Sequence, residues 1–303
     1  MGLRLVDAAR TAALLPWRPL AEAVARAAAE RAAGRLQAPL RSSFALQGDD
    51  RLLLMPASDE RHACVKLVTV NHGNPARGLP RVQGEVLLMD RASGERLALF
   101  DGVTLTARRT AAVSLAAALA LRVPRGERLL VVGAGAQARA HVLAFHEGLA
   151  PAWIGIAART GASAQRLVAE LADSGVAAHA VDDVAAEVAR CGLIVTATTS
   201  RVAVLPERVA DGVRVFAVGA FTPAMCELPA GLVRRARVIV DDLAGAREEA
   251  GDLIQAGVDW TRVSELGGGM APLDDQPVVF KSVGSAAWDL AAARLAWERM
   301  RGT

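Results

Sequence analysis

A chain of 303 residues with 52% hydrophobic and 22% charged side chains can bury two cores, and its composition argues against a disordered polypeptide. The net charge is only +3, Arg is scattered among Asp and Glu, aromatics make up 4% and Tyr is absent, so a small anionic ligand is favoured over nucleic acid. Cys64, Cys191 and Cys226 are far apart and form no C-x-x-C pair, which argues against a disulfide framework or a metal centre and for a reducing compartment.

The first residues, Met1 to Arg10, carry Asp7 and no apolar signal core. No apolar run reaches the ~18 residues of a membrane span, so a cytoplasmic protein without membrane partners is expected. Residues 18–33 have helical spacing, with Leu20, Val24, Ala27 and Ala28 on one face and Gly34 at the end. Strands are predicted at 51–56, 63–70, 81–89 and 96–100. The last two flank Asp90–Glu95, a hairpin loop with Gly94 at the turn. This part has no βαβ rhythm and reads as an antiparallel module. Between its strands, 71–78 is a Gly/Pro/Asn loop, expected to be mobile enough to cover a site.

A long Ala/Leu helix is predicted from Thr104 to about Leu121, followed by a break at Pro124–Glu127. Predicted strands at 128–133, 152–157, 177–181, 192–197, 213–218, 236–240 and 277–281 then alternate with helical stretches, the rhythm of a doubly wound parallel α/β sheet. A final helix, Ser285 to Arg301, carries Trp288, Leu295 and Trp297 and is expected to pack back onto the N-terminal domain. The expected organisation is a domain over 1–110, joined by helix 285–303, and a second domain over 111–284.

The most informative stretch runs from Arg128 through five strand-forming residues into Gly133, Ala134, Gly135, Ala136, Gln137 and Ala138, the pattern G-x-G-x-x-A, and then into a helix. A strand, a tight glycine turn and a helix N-terminus point backbone N–H groups at a pyrophosphate, the Rossmann arrangement for a dinucleotide. A ribose-binding acid should stand about twenty residues further on. Arg159 and Thr160 are there instead, and they suit a 2′-phosphate, so NADPH is favoured over NADH. Ligands of such sheets bind at the carboxyl ends of the strands. Thr198, Thr199, Val218, Gly219, Ser282 and Gly284 are therefore further cofactor candidates.

Arg41, Lys66 and Arg109 are cations in largely apolar surroundings. A buried Lys66 would need an anionic partner, whereas strand alternation also allows it a solvated face; pattern leaves both open. No Ser/His/Asp arrangement is visible, and the five His lack metal-ligand spacing.

The chain resembles the ornithine cyclodeaminase/mu-crystallin family. The resemblance rests on Val65-Lys-Leu67, Gly78-Leu-Pro80, Val86–Asp90 with Gly94, Leu105–Ala112, Gly133–Ala138, Ala250–Leu253 and Lys281–Gly284. It implies a Rossmann domain beside an α+β substrate-binding domain through whose sheets homodimers form. It also implies an amino-acid or imino-acid carboxylate held by Arg41, Lys66 and Arg109, with Gln83 lining the site and Thr110 beside the cofactor phosphates.

True ornithine cyclodeaminases resemble Gly-Gly-Asp-x-Pro-Gly-Lys-Thr-Glu after the fifth strand. Here Gly219-Ala-Phe-Thr-Pro-Ala-Met-Cys-Glu227 puts Phe221 at the Asp position. That segment resembles reductases of Δ1-pyrroline-2-carboxylate and Δ1-piperideine-2-carboxylate, with NADPH as cofactor and NADH as the alternative. An ornithine cyclodeaminase, an alanine-type dehydrogenase and a non-catalytic ligand-binding protein are the rival expectations.

Overall fold

Period-two alternation of apolar side chains gives a sheet one face to bury, and the helices of the first unit cover that face. The computed structural model describes residues 2–268 and 275–302. It divides into one unit made of the chain up to Arg109 together with the chain from Ser285, and a second unit spanning Thr110–Gly284.

The first unit begins with β1 (Arg4–Val6), α1 (Ala8–Leu14) and α2 (Trp17–Ala32), then β2 (Ser42–Ala45), β3 (Arg51–Ser58), β4 (His62–Val70), β5 (Val82–Asp90) and β6 (Arg96–Asp101). The six strands form one sheet in the order β1-β6-β5-β4-β3-β2. Pairing from β2 to β6 is antiparallel, whereas β1 joins β6 in parallel. The purely antiparallel expectation therefore missed β1, β2 and α1, all too short for a periodic signal.

Residues 71–78 lie in the connection from β4 to β5. They contain a 3-10 turn at Asn74–Arg77, and Asn71 and Asn74 tie them down through Asn71 Nδ2 to Asp50 Oδ2 (3.0 Å) and Asn74 Nδ2 to the Pro80 carbonyl (2.9 Å).

Helix α3 (Gly102–Ala120) follows, and the division between the units falls within it. The second unit continues with β7 (Arg128–Val132), α4 (Ala136–Leu149), β8 (Trp153–Ala157), α5 (Gly161–Ala172), β9 (His179–Ala180), α6 (Val184–Val188), β10 (Leu193–Thr196) and β11 (Arg214–Ala217). It is completed by α7 (Ala230–Arg235), β12 (Arg237–Val240), α8 (Leu243–Glu249), α9 (Gly251–Ala256), β13 (Ser264–Glu265) and β14 (Val278–Lys281).

Its eight strands are all parallel, in the order β13-β12-β14-β11-β10-β7-β8-β9. From β7 the chain builds outwards through β8 and β9, then crosses back to β10 on the other side. This places the topological switch between β7 and β10, where ligands of open α/β sheets bind. Leu130, Val132, Ile194, Val215, Ala217, Val240 and Val279 belong to its core. β14 inserts between β11 and β12, and β13 adds an edge that the sequence did not reveal.

Helix α10 (Ala286–Arg301) returns to the first unit and packs on α2, β3, β4 and β5. Trp288, Leu290, Ala291, Ala292 and Ala293 are fully buried there, and Arg294 anchors its outer side to Glu30 on α2 (2.8 Å) and to Asp59 (2.5 Å). No described helix is long and apolar enough to cross a membrane.

Candidate active site

In the first unit, cross-strand pairing aligns Met55, Lys66, Val86 and Phe100. Directly paired residues share a face, so Lys66 lies on the covered side with Cys64 and Val68. That settles the alternative left open by alternation: Lys66 is buried, only 3% exposed. On α3, Arg108 and Arg109 diverge, because consecutive helical residues point about 100° apart. Arg108 stacks its guanidinium 3.9 Å from the Trp17 ring and bonds the Leu15 carbonyl. Arg109 turns inward and is 4% exposed.

Both inward cations meet one carboxylate that sequence reading did not identify. Asp289 of α10 accepts from Arg109 Nε on Oδ1 (2.9 Å) and pairs with Lys66 Nζ through Oδ2 (2.9 Å). An acid alone in the apolar run Ala286–Ala293 was the available signal, since a buried carboxylate requires a partner. Burial by itself would raise the Asp289 carboxyl; the charges and hydrogen bonds of Arg109 and Lys66 overcome it and hold it below the ordinary value. Burial, reinforced by the Arg109 charge, pushes the Lys66 ammonium down to about 8, with Asp289 opposing and Arg41 adding to the fall. Arg41, half-buried just ahead of β2, is thus near enough to act electrostatically on Lys66. Two cations against one buried anion, with a third cation nearby, make a place for an anion.

Gln83 does not join this cluster. It pairs with Thr69, and register puts that pair on the face opposite Lys66, where Gln83 is exposed. Thr110 follows Arg109 on α3 and is buried.

The second unit places the glycine turn at the end of β7. Gly133 has φ +132, and a Cβ there would overlap the Ala197 carbonyl after β10. Gly135 caps α4 without a side-chain hydrogen bond, and a Cβ there would meet nothing within 4 Å. The space beside Gly135, with the unpaired first-turn N–H groups of α4 around Ala136 and Gln137, suits a pyrophosphate. Ala138 is fully buried, which lets α4 sit close to the sheet. Arg159 and Thr160 are exposed at the end of β8, and Thr160 also caps α5 by accepting from Ser163 N (3.3 Å).

Several other candidates are tied to buried carboxylates. The Thr198 amide and hydroxyl both donate to Glu227 Oε1 (2.7 and 2.9 Å), and the Gly219 and Ala220 amides donate to Oε2 (2.7 and 3.1 Å). The buried Glu227 thereby fastens the ends of β10 and β11 together, leaving Thr199 exposed and Val218 buried. Asp252 accepts from the Glu227 and Leu228 amides (2.5 and 2.9 Å) and pairs with Lys281 Nζ at 2.8 Å. Ser282 points inward: its hydroxyl and the Val283 and Gly284 amides donate to Asp241 (2.8, 3.0 and 3.0 Å). Sequence reading missed Glu227, Asp252 and Asp241, because their partners lie far away along the chain.

These residues fit a nicotinamide dinucleotide in one unit and an organic anion in the other, which is the equipment of an NAD(P)-dependent oxidoreductase. The ornithine cyclodeaminase/mu-crystallin family profile matches residues 5–303. Delta(1)-pyrroline-2-carboxylate reductase 2 of Burkholderia ambifaria is 41% identical over 293 residues, 96% of this chain and 94% of that protein. The Delta(1)-pyrroline-2-carboxylate/Delta(1)-piperideine-2-carboxylate reductase of Azospirillum brasilense is 41% identical over 292 residues, with the same shares covered. Among solved structures, the Thermococcus litoralis Delta(1)-pyrroline-2-carboxylate reductase in complex with NADH and L-proline superposes with a TM-score of 0.90 at 26% identity, covering 99% of this chain and 98% of that one. The chain belongs to the ornithine cyclodeaminase/mu-crystallin family.

Proposed function

We propose that this protein reduces a cyclic imino acid, Δ1-pyrroline-2-carboxylate or the six-membered Δ1-piperideine-2-carboxylate, to L-proline or L-pipecolate, with NADPH preferred and NADH as the weaker donor. The observation that carries this reading is the buried Lys66–Asp289–Arg109 cluster, two cations sharing one internal anion. Its surplus positive charge matches a single carboxylate, and Arg41 supplies a further cation at its edge. The names of the two bacterial relatives point to the same substrates.

Arg109 orients the carboxylate, and Lys66 holds its charge. The Lys66 ammonium, poised at about 8, is largely protonated at neutral pH yet acidic enough to donate a proton to the imine nitrogen. When bound, the reduced nicotinamide supplies the hydride that the imine carbon takes up. Gly133–Ala138 and the start of α4 hold its pyrophosphate, Arg159 with Thr160 the 2′-phosphate. Phe221, 47% exposed in the segment between Gly219 and Glu227, stands where the cyclodeaminase segment has its Asp, so that position carries no carboxylate to steer a second amine.

The single-chain sheet also has an apolar outer face. Leu5, Leu99, Leu87 and Val65 pair in succession across four strands, with Leu67 beside them and Phe44 at the β2 edge; Leu5 is 76% exposed. A second copy of the chain covers this face in a homodimer, since monomers rarely leave so continuous an apolar patch in water.

The reaction is tested by NADPH consumption with both imines, alongside proline and ammonia formation from ornithine with NAD. Imine reduction without ammonia release is the expected result. Ornithine conversion with both imines inert would restore the cyclodeaminase, and no turnover of any of them would leave a ligand-binding protein.

A further inference from the structure

Asp289 is fully buried and uses both oxygens on cations from different elements: Oδ1 on Arg109 Nε of α3, Oδ2 on Lys66 Nζ of β4. This choice of nitrogen has a geometric consequence. Nε lies on one side of the planar guanidinium, so the Nη1 and Nη2 edge is left over. Among the described residues those two nitrogens have no hydrogen-bond partner. That edge carries two parallel N–H groups and matches the two oxygens of a carboxylate. The same Asp289 carboxylate holds the Lys66 ammonium, tying the second cation to the first.

Resting on the reductase reading above, we propose that Asp289 is the positioning residue of this site: it turns the Arg109 guanidinium edge-on to the substrate carboxylate and keeps Lys66 in place and charged. The charged or titratable groups around Lys66 are Arg41 ahead of β2, Arg109 on α3, Asp289 on α10 and Cys64 on β4. Arg109 and Arg41 disfavour its proton, and burial keeps the Cys64 thiol neutral. Asp289 is therefore the group that retains the charge on Lys66. Activity depending on that charge falls as pH rises through the Lys66 value, and removing Asp289 moves the fall to lower pH.

Two variants separate charge from position. Asp289→Asn still offers an oxygen to Arg109 Nε but turns an amide donor towards the Lys66 ammonium. It should raise KM for Δ1-pyrroline-2-carboxylate roughly tenfold or more, the scale of a lost buried charge partner. The alkaline limb of kcat/KM should also shift down by about one pH unit, while NADPH affinity stays unchanged. Asp289→Glu keeps the charge but displaces the carboxylate by one methylene; it should raise KM and leave the alkaline limb where it was.

A folded Asn variant with wild-type KM and wild-type pH profile would overturn the proposal, as would a loss of melting temperature with both kinetic readouts unmoved. Should neither variant fold, the wild-type structure with L-proline decides. The expected result has the proline carboxylate on the Nη edge and Asp289 still on Nε; a carboxylate that displaces Asp289 from Nε sinks the role. Wild-type protein inert towards both imines removes the reductase reading and this role together, whereas normal wild-type turnover with an unaltered Asn variant removes only the role.

Discussion

Arg159 and Arg109 show how differently two arginines on one chain are used. Arg109 is enclosed, with its Nε committed to Asp289. Arg159 is exposed at the end of β8, where an acid would serve a ribose hydroxyl. A cation at that place favours a cofactor carrying a 2′-phosphate, and losing one charge-assisted contact of ~1.5 kcal/mol is worth about tenfold in affinity. Arg159→Ala is therefore expected to reduce the NADPH-over-NADH ratio of kcat/KM by about tenfold without touching the imine KM. A mutant that keeps the full wild-type preference would move the 2′-phosphate contact elsewhere.

At the scale of elements, the turn after β7 decides whether the second unit can hold a dinucleotide. Its two glycines are there for separate reasons. Gly133 adopts φ +132 and sits against the Ala197 carbonyl, so the strand-to-strand approach requires it. Gly135 has φ −96 and free space where a Cβ would be, so folding does not require it. Gly133→Ala should cost about 2 kcal/mol or more of backbone strain and steric overlap, lowering the melting temperature by roughly 4–8 °C. Gly135→Ala should melt like the wild type and lose NADPH affinity, because its methyl occupies the space offered to the phosphates. Melting curves and NADPH fluorescence titrations separate the two; equal melting losses in both would remove the ligand rationale for Gly135. Beside this turn, Glu227 joins the ends of β10 and β11 through four hydrogen bonds, so the rim at the carboxyl ends of these strands is set by an acid from a distant loop.

At the scale of the molecule, the outer face of the six-stranded sheet is the largest statement about assembly. Leu67, 42% exposed, lies next to the row Leu5, Leu99, Leu87 and Val65. A charge placed there would be buried without a partner in a dimer and solvated in a monomer, a difference of about 3 kcal/mol or more. Leu67→Glu is expected to weaken self-association by roughly a hundredfold, seen as a shift to the monomer by light scattering at micromolar concentration. A Leu67→Glu protein that remains dimeric would place the interface elsewhere.

Local pattern alone determined much of this protein. The parallel rhythm of β7, β8, β10, β11, β12 and β14, the turn at Gly133–Ala138 and the long α3 all rest on contacts between near neighbours or on period, so they are legible one window at a time. Arg41, Lys66 and Arg109 stood out because cations in apolar stretches are costly. Tertiary structure decided what completes them. Asp289 lies 180 residues from Arg109, and no local spacing connects the two. The same holds for Glu227 with Thr198, for Asp252 with Lys281 and for Asp241 with Ser282. The directions of the Gln83 and Ser282 side chains were not legible for the related reason that a side chain's face depends on register and on what packs against it. Periodicity reports that a strand exists; only its pairing partners determine which side meets the core, and only the fold brings an acid from the last helix to two cations on earlier elements.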